Sequence, residues 1–125
     1  IRIPAARGAA TRVELRCPDP SCNPYLALAA VLSAGLDGIE NKIQPPLPVD
    51  KNIFEMGEEQ RLAEGIDSLP GNLKEAVDEM EKSEMVRQVL GDHIFTKYIE
   101  AKKKEWDQYR TKISQWELDQ YLARY

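Results

Sequence analysis

With 125 residues, the chain is long enough for one domain with a core of its own. Its composition, 42% hydrophobic and 30% charged, is that of a folded protein rather than a disordered one. A formal net charge of -4 excludes the strongly basic footprint of a nucleic-acid-binding protein. The most apolar run, residues 25–39, is shorter than the roughly 20 residues that a membrane span needs.

The first residue of the chain and its two cysteines lead to two further expectations. The chain opens on Ile1 rather than Met and has no signal-peptide pattern, so we expect a piece of a longer protein. Cys17 and Cys22 are too few for a disulfide scaffold, and no second pair or neighbouring histidine completes a zinc site. We therefore expect two free thiols in a reducing cytoplasm.

The first sixteen residues show the alternation of β-strands. Residues 1–4 and 11–16 are predicted strands, joined by a loop of small residues from 5 to 10. A lone two-stranded hairpin is marginally stable, so we expect both strands to belong to a larger sheet.

Helical patterns fill the rest of the chain. Asn23 and Pro24 predict a helix start, and the helix should reach about Lys42, buried on several sides by its apolar residues. After a stiff proline-rich connector at 44–50, further helix starts are predicted at four positions, namely Asn72, Ser83, Asp92 and Ser114. The predicted fragment is mostly α-helical, with residues 1–42 contributing sheet and buried helix and residues 43–125 a helical region of the same incomplete domain.

One short stretch carries candidate chemistry. Arg12, Glu14 and Arg16 would project from one face of a strand, an ionised carboxylate between two cations. Such a row suits a divalent metal beside phosphate or carboxylate groups, and Arg2 lies on the preceding strand. From spacing alone a solvated strand face with cross-strand ion pairs is the favoured alternative.

The order of motifs resembles a known family. The matching stretches are Arg2-Ile-Pro, Arg12-Val-Glu-Leu-Arg16, Pro18-Asp-Pro-x-x-Asn-Pro-Tyr25, Ala34-Gly-Leu-Asp-Gly-Ile39, Asp50-Lys-Asn52, Tyr98-Ile-Glu-Ala-Lys102 and the aromatic tail. Together they resemble the C-terminal part of the catalytic domain of bacterial type I glutamine synthetase, an α+β fold. The likeness runs over essentially the whole chain.

The resemblance implies ATP-dependent joining of ammonia to glutamate through γ-glutamyl phosphate, with Mg²⁺ or Mn²⁺. By this resemblance Glu14 is a metal ligand, Arg2 and Arg12 hold ATP phosphates, and Arg16 binds the transferring phosphoryl group and the glutamate. It also implies a cytoplasmic homo-dodecamer in which the helix around 116–125 contacts the opposing ring. From the net charge and the short apolar run we expect no nucleic acid or membrane as partner.

Departures from the family pattern keep alternatives open. Most metal and glutamate ligands of the family lie outside this stretch, so the fragment alone should be inactive. Phe54 stands where the enterobacterial branch has its adenylylated tyrosine, which favours the non-adenylylated branch. Another γ-glutamyl-amine ligase of the same superfamily and a non-catalytic helical interaction domain remain as alternatives.

Overall fold

Helices dominate the computed structural model, which describes residues 1–124. The five α-helices are α1 (Pro24–Glu40), α2 (Glu58–Ala63), α3 (Leu73–Lys82), α4 (Glu84–Arg110) and α5 (Gln115–Tyr121). Two 3₁₀ turns, Gly8–Ala10 and Ile53–Glu55, lie in the connections. The prediction of a mostly helical chain is confirmed, whereas α2 had not been predicted.

The predicted two-strand segment is wrong. No sheet forms among residues 1–124, and the N-terminal stretch pairs only through an isolated antiparallel bridge between Arg2 and Glu14. The physical reason is a lack of burial, since Ile1, Ile3 and Val13 are 90%, 68% and 67% exposed. Without an apolar face to bury, one pair of short segments does not sustain a ladder.

Local capping signals placed the helix starts at Asn23, Asn72, Ser83 and Ser114 correctly, whereas Asp92 lies within α4 just after Gly91 and its side chain accepts from Arg87 rather than from a backbone N–H. The side chain of Asn23 accepts hydrogen bonds from the backbone N–H groups of Tyr25 and Leu26, at 3.0 and 3.3 Å, and Pro24 occupies the first helical position. At the start of α5, Ser114 and Glu117 form the predicted capping box, because each side chain accepts from the other residue's backbone N–H. Such signals act over three or four residues, so sequence alone suffices to read them.

The core lies between α3 and α4. Val77, Phe95 and Ile99 are buried there, and Leu73, Met80, Val86 and Leu90 pack around them. Gly91 interrupts α4 with φ 72° and ψ 154°, where the sequence predicted the boundary between two helices. This backbone conformation is essentially restricted to glycine, so Gly91 allows the chain to bend around the core.

The long helix α1 is less covered than its composition predicted. It has no buried residue, and Tyr25, Leu28 and Ile39 are 83%, 67% and 75% exposed. Within residues 1–124 it packs chiefly against α4, so a helix that is apolar on several sides has only one of them covered. None of the helices in this part of the chain is both long and apolar enough to cross a membrane.

Candidate functional site

Three arginines meet at the carboxylate of Glu14. Oε1 accepts from Nε and Nη2 of Arg12 at 3.1 and 2.8 Å. Oε2 accepts from Nη1 of Arg2 at 3.1 Å and from Nη2 of Arg16 at 2.7 Å. The structure thus brings together all four residues that the sequence singled out, although the strand face that was to present them is absent.

The backbone places Arg2 beside the other three. Its N–H donates to the carbonyl oxygen of Glu14 at 2.9 Å, and the N–H of Glu14 donates back at 2.8 Å. The intervening loop turns at Gly8, whose φ of 70° lies in the left-handed region that favours glycine. Arg7 in this loop donates instead to the carbonyl oxygens of Pro4 and Ala6, at 2.7 and 3.0 Å, so its guanidinium lies outside the cluster.

The arrangement is electrostatically asymmetric. Three guanidiniums against one carboxylate leave a formal charge of +2 on the cluster. The hydrogen bond from Arg16, followed by that from Arg2, lowers the pKa of Glu14 below its usual 4.5, while partial desolvation opposes the shift. The side chain of Glu14 is 21% exposed and those of the arginines are at least half exposed. The cluster therefore presents an ionised carboxylate surrounded by guanidiniums that are at least half exposed, and Nη1 of Arg12 also donates to the carbonyl oxygen of Ala10 at 3.2 Å.

A turn links this cluster to the helices. The N–H and hydroxyl of Ser21 both donate to Oδ1 of Asp19 at 2.7 Å, which lowers the pKa of Asp19. The positive charge of Lys102 on α4 contributes to the same shift, so the turn lies within electrostatic reach of α4. Sequence reasoning missed this link, although Asp followed two residues later by Ser in a Pro-rich stretch is a turn signal.

The residues present fit a divalent cation as a partial ligand set. No group of three or more His, Cys, Asp and Glu side chains suited to a metal occurs within residues 1–124. Mg²⁺ in proteins is commonly bound by one or two carboxylates together with substrate phosphates and water. Glu14 suits that role, and the adjoining arginines suit the phosphates.

A second concave surface is a weaker candidate. A groove of about 200 Å³ between α3 and α4 is lined by Lys74, Val77, Asp78, Lys103, Trp106 and Asp107. Its lysines are already neutralised, because Lys74 pairs with Asp78 and Lys103 with Glu81, each at 2.6 Å. The groove therefore lacks the excess positive charge of the arginine cluster.

Comparison with known proteins identifies the family. Residues 1–121 match the family model for the catalytic domain of glutamine synthetase. The chain belongs to the glutamine synthetase family. A curated glutamine synthetase from Clostridium saccharobutylicum is 59% identical over all 125 residues of this chain, which cover 28% of that protein. Glutamine synthetases from Thermotoga maritima and Thermus thermophilus are 57% and 54% identical over 98% and 100% of the chain, again covering 28% of each relative.

The family match confirms the resemblance that the motifs indicated. The chain spans little more than a quarter of the length of these relatives. The assignment to the non-adenylylated type I branch stays a prediction, with Phe54 on the 3₁₀ turn Ile53–Glu55 and 95% exposed. The individual roles of Arg2, Arg12, Glu14 and Arg16 also stay predictions.

Proposed function

We propose that this chain forms the phosphate- and cation-binding wall of a glutamine synthetase. In the full reaction the γ-carboxylate of glutamate attacks the γ-phosphorus of ATP and ADP leaves. Ammonia then attacks the γ-carbonyl carbon of the γ-glutamyl phosphate, and inorganic phosphate leaves. The observation that carries the proposal is the convergence of three guanidiniums on one ionised carboxylate.

The roles follow from the chemistry of each group. Glu14 would contribute one oxygen ligand to Mg²⁺ or Mn²⁺, which in turn would neutralise phosphate charge. Arg2 and Arg12 would bind ATP phosphates, since a guanidinium fork matches phosphate oxygens. Arg16, the most exposed of the three at 67%, would bind the transferring phosphoryl group and the substrate carboxylate. Phosphoryl transfer depends on positioning and charge neutralisation, and these side chains supply both.

The apolar surfaces support a multi-subunit enzyme. Trp116 and Leu122, at and beyond α5, are 62% and 76% exposed, and Tyr121 is 47% exposed. We assign this face to contact with the opposing ring of a homo-dodecamer; Tyr125, part of the predicted contact, lies outside the described residues. Residues 1–42 would complete the catalytic core together with the remaining chain, and residues 43–125 would form its helical flank. The cytoplasm, which keeps exposed thiols such as Cys17 and Cys22 reduced, is the compartment we propose.

The test measures phosphate release from ATP by the full-length protein with glutamate and ammonia. Arg16→Ala and Glu14→Ala should each lower turnover by about 100-fold or more, the scale for losing one preorganised charge-stabilising contact. Arg110→Ala is the control, since among the described residues Arg110 pairs with Asp107 on an exposed helix surface, away from the cluster. Near-normal turnover in both site variants would refute the assignment, and phosphate release that requires a larger amine would assign another γ-glutamyl-amine ligase.

A further inference from the structure

Two cysteines flank the segment that joins the arginine cluster to α1. Cys17 directly follows Arg16, and Cys22 directly precedes Asn23, whose side chain caps α1. Both thiols are free and exposed. The proposed binding of phosphate and cation uses neither of them.

A metal site does not account for this pair of thiols. A structural zinc site takes four ligands, and within residues 1–124 no three His, Cys, Asp or Glu side chains are grouped to hold a metal ion. Two thiols can instead form a disulfide without any further ligand. Cysteines that sense oxidants are accessible to solvent and often lie next to a second cysteine, which resolves the first oxidation product.

The chain between the two cysteines folds back on itself. The backbone N–H of Cys22 donates to the carbonyl oxygen of Asp19 at 2.9 Å. A β-turn closed in this way holds the Cα atoms of its first and last residues within about 7 Å, and Cys17 lies only two positions before Asp19. A disulfide needs a Cα separation of roughly 4.4–6.8 Å. Residues 17–25 are all exposed, so no side-chain packing in the described part of the chain opposes a local closure to that separation.

Closure of this segment moves Arg16. Pro18 and Pro20 fix their own φ at roughly −65° and restrict the residue before each of them, so the middle of the segment is stiff. The movement therefore falls on the two cysteines themselves, and the backbone of Cys17 carries Arg16 with it. Arg16 donates to Oε2 of Glu14 at 2.7 Å, and a shift of its backbone displaces that guanidinium from the cluster.

We propose that Cys17 and Cys22 form a reversible intrachain disulfide, with hydrogen peroxide as the oxidant, and that this bond withdraws Arg16 from the cluster. The sulfur of one cysteine attacks a peroxide oxygen, the O–O bond breaks, and a sulfenic acid forms while the leaving hydroxide takes the thiol proton as water. The second sulfur then attacks the sulfenic sulfur. The S–O bond breaks, the S–S bond forms, and the second hydroxide leaves as water with the proton of the second thiol. The two sulfurs lose two electrons in all, and these reduce the peroxide.

Two thiols that act independently would behave differently. Each would be oxidised to its own sulfenic acid and then to a sulfinic acid, or would be capped by a small thiol, and neither route links positions 17 and 22. Exposed or strained disulfides are the more readily reduced ones, which makes this bond reversible. In a reducing cytoplasm the bond is transient, as cytosolic disulfides usually are. The effect of the bond on turnover rests on the proposed function, whereas the formation of the bond does not.

The experiment exposes the full-length protein to graded hydrogen peroxide, blocks the remaining thiols with iodoacetamide and digests the protein with trypsin. Cleavage after Arg16 and after Lys42 releases one peptide, residues 17–42, that contains both cysteines. In the oxidised protein, mass spectrometry should find this peptide without iodoacetamide adducts and lighter than the dithiol peptide by two hydrogen atoms. Dithiothreitol added before the blocking step should restore both adducts.

Phosphate release from ATP is measured on the same samples. Turnover should fall at least tenfold as the bridged peptide accumulates, because a misplacement of about 1 Å in an active site can cost about 100-fold in rate. Dithiothreitol should restore the turnover together with the adducts.

Cys17→Ser and Cys22→Ser are the matched variants. Each keeps one thiol and a side chain of similar size, but neither can form the bond. In reducing buffer both should release phosphate as fast as wild type, because neither thiol takes part in binding. Peroxide should leave their turnover unchanged at concentrations that inactivate wild type.

The outcomes separate the disulfide from the proposed function. A wild-type peptide that gains oxygen or keeps both adducts, with no bridged form, would overturn the disulfide. A bridged peptide with undiminished turnover, or an equal loss of turnover in the serine variants, would overturn its effect on Arg16. Near-normal turnover of Arg16→Ala in reducing buffer would refute the proposed function instead and would leave the bridged peptide as evidence for the disulfide.

Discussion

The sharpest stability prediction compares the two phenylalanines of the chain. Phe95 is 3% exposed in the core between α3 and α4, whereas Phe54 is 95% exposed. Truncating a buried phenylalanine to alanine costs about 3–5 kcal/mol, because apolar burial is lost and a cavity remains. The guanidinium of Arg87 lies 4.4 Å from the ring centroid of Phe95, which adds about 0.5–1 kcal/mol of cation–π attraction. Phe95→Ala should therefore cost about 3.5–6 kcal/mol, a large part of the 5–15 kcal/mol typical of a domain.

Urea unfolding of the 125-residue chain, followed by far-UV circular dichroism, measures this cost. With a typical slope of about 2 kcal/mol per M, the unfolding midpoint of Phe95→Ala should fall by about 2 M. Phe54→Ala should change the free energy of unfolding by no more than about 0.5 kcal/mol, as for other exposed sites. Equal shifts in both variants, or a loss below about 1 kcal/mol for Phe95→Ala, would show that the core does not lie between α3 and α4.

Two further predictions concern the backbone and the ionised cluster. Gly91→Ala should destabilise the chain by about 1–3 kcal/mol, because the φ of 72° at position 91 is strained for any residue other than glycine. Gly35→Ala inside α1 should instead stabilise the chain by about 0.5–1 kcal/mol. Thermal unfolding measures both changes, and a change in the same direction for both variants would contradict the reasoning. Since the arginines lower the folded-state pKa of Glu14, their stabilisation is present above pH 4.5 and is lost as the pH falls through that lowered pKa. Carboxyl-carbon NMR should show that Arg16→Gln raises the pKa of Glu14 more than Arg12→Gln does, because the hydrogen bond from Arg16 is the largest cause of the lowered pKa. A larger rise in Arg12→Gln would contradict this prediction.

Sequence predicted the features of the fold that are set by neighbouring residues. The helix starts at Pro24 and after Ser114 depend on caps three or four residues long, and both are as predicted. The predicted strands at 1–4 and 11–16 would instead need pairing partners and a buried face, which residues 1–124 do not supply. Alternation alone cannot supply either, and in the part of the chain that the structure describes only the bridge between Arg2 and Glu14 forms.

In the candidate site, too, the sequence predicted the contacts between residues close in the chain better than those between residues far apart. The spacing of Arg12, Glu14 and Arg16 identified the residues, because positions two apart remain close whether or not a strand forms. The sequence placed Arg2 near them, and the alternative of a solvated face included cross-strand ion pairs, but it did not name the partner of Arg2, since the contact with Glu14 spans twelve positions of chain. The electrostatic link from Asp19 to Lys102 spans a still larger separation, so the local turn signal at Asp19 and Ser21 could not predict it.

The geometry of the site depends on charge more than on the core. The core lies between α3 and α4, whereas Pro4 is the only buried residue in positions 1–16. What holds the guanidiniums together is the carboxylate of Glu14 and one backbone pair. An amide at position 14 would turn N–H donors toward the arginines and remove the charge that offsets their repulsion. Glu14 therefore organises the arginines without a ligand, so a substitution there would remove both this arrangement and the cation ligand that we propose.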